Sequence, residues 1–178
     1  LVNFTHNIGG GEIMVVKLTQ KEQMLLQDLK SHEEWCIKKY TEAQNRASDP
    51  ALKQTFGELL SHERQHLETV NQILAGNVPS MNQSSQNAQT GQNSNTLWGG
   101  PAKGQNPTSA TKAVQSDIDL CQDLLNNEKY VSSVYDTVIF ECEQKEIRDA
   151  LNHIQKEEQQ HGEKLFKYMK QHGGYNVQ

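Results

Sequence analysis

Two copies of the pattern Glu-x-x-His lie far apart in this chain, and each is preceded by a further glutamate. The six residues are Glu63 with His66, Glu158 with His161, and the upstream pair Glu33 and Glu128. One Glu-x-x-His alone is weak evidence, because Glu and His are common on solvated helix faces. Two copies, each in register with an upstream glutamate, are much harder to obtain by accident. Carboxylate and imidazole are ligands that iron and manganese accept, so we interpret the six residues as a candidate metal site.

The two sets occupy equivalent places in an internal repeat. Shifting the chain by 95 residues aligns residues 27–71 with 122–166 without a gap, and nine of the 45 positions are identical. Chance would give far fewer identities. Most of the shared residues are polar, which points to a shared site more than to a shared core.

Helical periodicity places these polar residues among apolar ones. Residues three and four apart share a helix face. Leu29 and Cys36 flank Glu33 on one such stripe, and Leu124 and Val131 flank Glu128 on another. The other four residues fall inside the stripes of two further helices. Tyr40 and Tyr135 lie two turns beyond the upstream glutamates on the same faces, so we expect core tyrosines that bond to the ligand shell, with redox participation as the alternative.

Four glutamates that face one another in a core need a counter-charge, because each unpaired buried charge costs several kcal/mol or forces protonation. No Lys or Arg lies on the inward stripes near them. Two divalent ions would supply the charge, and two imidazoles would complete the ligand set of a bundle-core di-iron or di-manganese site. The alternative is a duplicated bundle that has kept these residues and lost the metal.

Helix signals divide the chain into two helical hairpins. Thr19 with Glu22 is a capping box for the first helix, and Asp49-Pro50 begins the second, which ends near Gly76 and Pro79. A third helix is predicted from about Ala113 to Phe140 and a fourth from about Lys145 to Gln171. Nothing alternates with a period of two for long enough to indicate a sheet. The predicted fold is an all-α four-helix bundle.

The predicted organisation is a single domain over residues 18–173. Residues 18–75 form the first hairpin and residues 113–173 the second. Between them, residues 76–112 form a polar crossover, since 28 of its 37 residues are Asn, Gln, Ser, Gly, Thr or Pro. Leu97 and Trp98 interrupt this polar stretch. They are expected either to pack the crossover against the bundle or to contact a partner. Residues 1–17 are a flexible leader.

Composition excludes several classes of function. The 178 residues are 34% apolar and 22% charged with a net charge of −5, and the 17 basic residues are scattered among 22 acidic ones. Binding to nucleic acid or to an anionic membrane would need a basic cluster. No apolar run is long enough to span a bilayer, and no secretory signal pattern is present, so we expect synthesis in the cytoplasm. Three cysteines without Cys-x-x-Cys spacing exclude a disulfide framework.

Four histidines have no histidine counterpart in the other half, and we expect them to be solvated. They are His32, His62, His153 and His172.

The sequence resembles the ferritin-like superfamily, and more closely the coat F family of bacterial spore coat proteins. The segments that carry the resemblance include His32-Glu-Glu-Trp-Cys-Ile-Lys-Lys-Tyr40, Glu63-Arg-Gln-His66, Glu141-Cys-Glu and Glu157-Glu-Gln-Gln-His161. The resemblance implies a ferritin-like bundle, expression during sporulation and a location in the spore coat, with other coat proteins or a second copy as partners. The chain lacks the rubredoxin-like cysteine module of rubrerythrin and a clear fifth helix, which argues against rubredoxin-linked peroxide reduction and against iron storage.

Two functions from different classes remain open. One is a non-enzymatic coat component whose two metal ions, iron or manganese, serve structure or protection. The other is a di-iron or di-manganese oxidase, peroxidase or catalase that acts on O₂ or H₂O₂. The sequence supports the site better than it supports turnover.

The segment Gly10-Gly11-Glu12-Ile13-Met14 is what a purine-rich ribosome-binding site upstream of a start codon would encode. We therefore expect the native protein to begin at Met14 in a Gram-positive bacterium. An ordinary flexible tail is the alternative.

Overall fold

The computed structural model describes residues 5–7, 12–79 and 107–175, and it describes side chains for residues 16–79 and 112–175. Four long helices dominate it, so the predicted all-α class is confirmed. The helices are α1 (Gln20–Arg46), α2 (Pro50–Leu74), α3 (Pro107–Glu141) and α4 (Lys145–Gln171). Helix α1 packs along α2, and α3 packs along α4. The two hairpins meet through α1 with α3 and α2 with α4.

The first two helices begin where their capping residues predicted. The Thr19 hydroxyl accepts a hydrogen bond from the Glu22 backbone N–H at 3.2 Å, and the Glu22 carboxylate accepts one from the Thr19 N–H at 2.7 Å. Asp49 accepts one from the Ala51 N–H at 2.8 Å, with Pro50 at the first helical position. These side chains satisfy backbone donors that have no partner within the helix. Helix α3 starts at Pro107, earlier than the predicted Ala113.

A small antiparallel sheet, which the sequence did not predict, lies beside the bundle. Its strands are β1 (Thr5–Asn7), β2 (Glu12–Val15) and β3 (Asn77–Pro79). Strand β2 is central, with Met14 opposite Val78. Part of the predicted leader and the first residues of the predicted crossover are therefore strands. Residues 80–106, with Leu97 and Trp98, lie outside the described part of the chain.

Gly76 lets this sheet follow directly from α2. It has a φ of 83°, and a Cβ at this position would lie 2.9 Å from the Val16 carbonyl oxygen. The Val16 N–H donates to the Gly76 carbonyl at 2.7 Å. Both the backbone conformation and the close approach of the chain favour glycine here.

The apolar core is divided into two clusters, one toward each end of the bundle. One cluster contains Leu26, Leu29, Ile73 and Leu151, and the other contains Phe56. On α2, α3 and α4, the interval between the clusters carries buried acidic or histidine residues, and on α1 the buried Glu33 interrupts the first cluster between Leu29 and Cys36. The bundle therefore has a polar layer near its middle.

Two buried acidic side chains, one in each hairpin, hydrogen-bond to the turn of the opposite hairpin. The Asp117 carboxylate accepts hydrogen bonds from the Ser48 and Asp49 backbone N–H groups, at 2.8 and 2.9 Å. The Glu22 carboxylate accepts one from the Glu143 N–H at 2.8 Å. Both acids are almost fully buried. Each turn therefore has its backbone donors satisfied by a helix of the opposite hairpin.

Asp117→Ala is expected to destabilise the protein by about 3 kcal/mol, because two backbone donors lose an ionised acceptor. Urea unfolding monitored by circular dichroism measures the effect. Asp119→Ala, an exposed change on the same helix, should stay within about 0.5 kcal/mol of the parent. Equal effects of the two changes would contradict this role for Asp117.

Candidate metal centre

The polar layer brings all six predicted site residues together. Glu33 on α1, Glu63 and His66 on α2, Glu128 on α3, and Glu158 and His161 on α4 are each at most 2% exposed. Each helix contributes at least one of them because the apolar stripe that buries the helix continues on both sides of the polar position. The side chains thus converge from four helices on one interior region.

Within this region the ligand atoms form two overlapping groups, each with its atoms within 4.8 Å of one another. One group is Glu33, Glu63, His66 and Glu158, and the other is Glu63, Glu128, Glu158 and His161. Glu63 and Glu158 belong to both. Glu33 and Glu128 each belong to one.

The two histidines face the glutamates of the opposite hairpin. Nδ1 of His66 lies 3.1 Å from Oε1 of Glu158, and Nδ1 of His161 lies 2.9 Å from Oε1 of Glu63. The two imidazole rings stack with centroids 5.5 Å apart. Both Nδ1 atoms therefore point into the space between the carboxylates.

Eight buried polar atoms of these residues have no hydrogen-bond partner. They are Oε2 of Glu33, both carboxylate oxygens of Glu63 and of Glu158, Oε2 of Glu128, and Nδ1 of His66 and of His161. The shortest nitrogen–oxygen distances in the cluster are within hydrogen-bonding range, but the directions of approach do not fit hydrogen bonds. Each buried unsatisfied polar atom costs about 1–3 kcal/mol, and native proteins contain few of them. Eight in one place are more than the side chains of the bundle itself explain.

Burial and the neighbouring charges perturb the pKa values of Glu33, Glu128 and Glu158 in the metal-free protein. Burial and the nearby Glu158 carboxylate raise the pKa values of Glu33 and Glu128 well above their usual range. Burial would raise the pKa of Glu158, but the close approach of Glu128, His161 and His66 outweighs it and lowers that pKa. The ion pairs of the six residues within the described chain involve no Lys or Arg.

The pKa values of the two site histidines are raised, which favours their charged form. Burial alone would lower their pKa values, because it disfavours the charged imidazole. The close approach of the surrounding glutamates outweighs burial, so the pKa of His66 is raised well above its usual range and that of His161 is raised to about 11. A cation that entered the site would compete with these protons.

Tyr40 and Tyr135 hold the two glutamates that are not shared between the groups. The Tyr40 hydroxyl donates to Oε1 of Glu128, and the Tyr135 hydroxyl donates to Oε1 of Glu33, both at 2.5 Å. The bonds cross between the hairpins in both directions. They leave Oε2 of each carboxylate directed into the cluster.

Two residues next to the site were missed by the sequence analysis. Oε2 of Glu157 lies 2.9 Å from Nε2 of His66, and Nδ1 of His62 lies 3.1 Å from Nε2 of His161. The prediction that His62 is solvated is wrong, since it is half-buried against the His161 ring. The available signal was the repeat itself, because His62 and Glu157 are 95 residues apart and each precedes a site glutamate.

The hydrogen bond to Glu157 also orients His66. A carboxylate can only accept, so Nε2 of His66 carries the proton in this bond. In the neutral imidazole this leaves the lone pair on Nδ1, which faces the glutamates. The buried Cys36 belongs to neither ligand group, and burial raises the pKa of its thiol well above the usual range.

Glu157→Gln is expected to weaken divalent metal binding about 10- to 100-fold, mainly for the ion beside His66, because outer hydrogen bonds of this kind orient a ligating imidazole and increase its basicity. Competition with a chelating dye measures the affinity. The control is Glu163→Gln, an exposed change on the same helix. An affinity equal to that of the parent would contradict this role.

Similarity to solved structures supports the fold. A crystal structure of a two-domain protein from Anabaena variabilis, containing DJ-1/ThiJ/PfpI-like and ferritin-like domains, matches 92% of this chain with a TM-score of 0.62 and 13% identity. The chain spans 40% of the length of that protein. No curated protein sequence matches the chain significantly.

The bundle is therefore a ferritin-like one, with a buried cluster of glutamates and histidines at its middle. Residues 116–178 match the model of the Coat F domain family. The match covers about a third of the chain, and the structural neighbour supports the ferritin-like fold. Within the described residues, no helix is both long enough and apolar enough to cross a bilayer.

Proposed function

We propose that this chain is a spore coat-associated protein whose ferritin-like bundle holds a dinuclear centre of iron or manganese, with a structural or protective role during sporulation. The observation that carries the metal site is the set of eight unpartnered buried ligand atoms on six residues from four helices. The Coat F match to residues 116–178 carries the association with the coat. The partners expected from it are other coat proteins or a second copy of this chain.

The arrangement assigns separate roles to the six residues. Glu33 and His66 would hold one ion, Glu128 and His161 the other, and Glu63 and Glu158 would contact both. The ligand set is all oxygen and imidazole nitrogen, which both iron and manganese accept. Two divalent ions match the charge of four carboxylates with two neutral histidines, so no unpaired charge stays buried. Bound ions of this kind can also exchange electrons with O₂ or H₂O₂.

A second candidate is the oxidoreductase, and one observation favours it. A cleft of about 520 Å³ lies along α3 and α4, and its lining includes Glu128 and Glu158. A purely structural ion needs no such opening. The cleft is large enough for a small oxidant to approach the ligands.

Metal analysis of protein purified without chelator tests the centre. The proposal expects two ions per chain, and less than about half an ion per chain in metal-supplemented protein would exclude a stable site. Consumption of O₂ or H₂O₂ by the loaded protein then separates the two candidates. A full site without turnover supports the coat component, and steady turnover supports the oxidoreductase.

A further inference from the structure

We infer that hydrated divalent cations enter the centre through the cleft between α3 and α4. This inference rests on the dinuclear centre proposed above and adds the route by which it is filled. The deepest lining residues of the cleft are Glu128 and Glu158, which are nearly or fully buried. Its outer lining includes the exposed Lys129, Asp136 and Gln159. The cleft thus leads from solvent to two of the six ligand side chains.

The matching face of the other hairpin is filled by larger apolar side chains. At the aligned positions 95 residues earlier, Ile37 stands in place of Ser132, Leu60 in place of Gln155, and Leu67 in place of Gly162. Leu60 is buried, and Ile37 packs against an apolar cluster. The α1–α2 face therefore carries large apolar side chains at the three positions where the α3–α4 face carries a serine, a glutamine and a glycine.

Gly162 contributes directly to the open space. A Cβ at this position would lie 3.3 Å from Cδ1 of Leu125, which also lines the cleft. Any larger residue would press on that leucine or project into the cleft. Glycine in a helix interior is destabilising by roughly 0.5–1 kcal/mol relative to alanine. The cost is consistent with a position kept small to leave room.

The lining suits a small hydrated cation. Ser132, Ser133, Gln155 and Gln159 offer hydroxyl and amide groups, and one basic and one acidic residue lie at the mouth. Neutral oxygen donors can replace hydrogen bonds of a hydration shell without holding the ion. The carboxylate oxygens of Glu158 are themselves shielded from solvent, so the last step requires a small opening of the cleft.

The route also predicts an order of filling. The cleft reaches Glu128 and Glu158, which belong to the group with His161. Glu33 and His66 lie on the far side of the shared glutamates and do not line the cleft. The ion beside His161 should therefore bind first, and the ion beside His66 should follow it through the centre.

Stopped-flow mixing of the metal-free protein with Co²⁺, followed by visible absorbance, tests the route. Ser132→Ile, which installs the residue found at the matching position 37, should slow uptake about tenfold and leave the final stoichiometry unchanged. Ser61→Ile is the control, since it makes the same change on an exposed part of α2. Gln159→Trp, at the exposed mouth, repeats the test without altering a half-buried position.

The outcomes separate the two proposals. If the parent protein binds no Co²⁺, the proposed centre is wrong. If the parent binds two ions while Ser132→Ile and Gln159→Trp load as fast as Ser61→Ile, the centre stands and the α3–α4 route is wrong. Slower uptake by either cleft variant than by the control, with full final loading, supports the route.

Discussion

Glu63→Gln or Glu158→Gln is expected to remove both metal ions, whereas Glu33→Gln or Glu128→Gln is expected to remove only one. The reason is geometric, since Glu63 and Glu158 belong to both ligand groups and the other two glutamates belong to one each. Glutamine keeps the size of the side chain and replaces an anionic ligand by a weak neutral one. A lost shared ligand therefore weakens both positions, and a lost terminal ligand weakens one.

Inductively coupled plasma mass spectrometry after desalting measures the effect as ions per chain. The expected series is two for the parent, about one for the terminal variants and near zero for the shared variants. Glu68→Gln, an exposed change on α2, is the control and should retain both ions. The same loss in all four site variants would contradict the shared and terminal assignment, though not metal binding itself.

The six site residues could be selected from sequence because each is a polar residue inside an apolar stripe. Glu33 between Leu29 and Cys36 has no reason to be buried unless it has a partner in the core. The spacing of Glu63 and His66 puts both on one face of a helix. Local periodicity contains this information, and the structure places all six side chains together in the interior.

The neighbours of the site could not be found in the same way. His62 is off the apolar stripe, and it contacts His161, which is 99 residues away in sequence. No local pattern distinguishes such a residue from a solvated one. The repeat aligns His62 with Glu157, but only the three-dimensional arrangement of α2 against α4 shows that each lies beside a ligating histidine.

The small sheet was not predicted from the sequence, for a different reason. Its strands have three or four residues, which is too short for alternation to be visible. Strand β2 precedes the first hairpin and its partner β3 follows it, and a backbone hydrogen bond between Val16 and Gly76 lies next to the paired residues.

The matching roles of Asp117 and Glu22 were also missed. They are 95 residues apart, but they lie before the aligned segments 27–71 and 122–166, and they are not identical.

Chelation of the loaded protein is expected to lower its melting temperature by about 10 °C or more. An ion that binds only the folded chain stabilises it by about 2.7 kcal/mol when its free concentration is 100 times Kd. Two ions contribute this twice, and a domain of this size shifts by about 2–4 °C for each kcal/mol. Differential scanning calorimetry with and without chelator measures the shift.

Glu128→Gln is expected to destabilise the metal-loaded protein and to stabilise the metal-free protein. In the loaded protein it removes a ligand, so it should lower stability by about the binding energy of one ion. In the metal-free protein, burial and the Glu158 carboxylate already raise the pKa of Glu128, which means that its charge opposes folding. A carboxyl group whose pKa is raised by folding must take up a proton to fold near neutral pH, which costs stability. Glutamine is neutral in both states and avoids this cost, and its oxygen can still accept the Tyr40 hydroxyl. The variant should therefore be less stable than the parent with metal and more stable without it. A variant that is destabilised by the same amount in both states would show that Glu128 is a structural residue of the bundle and not a metal ligand.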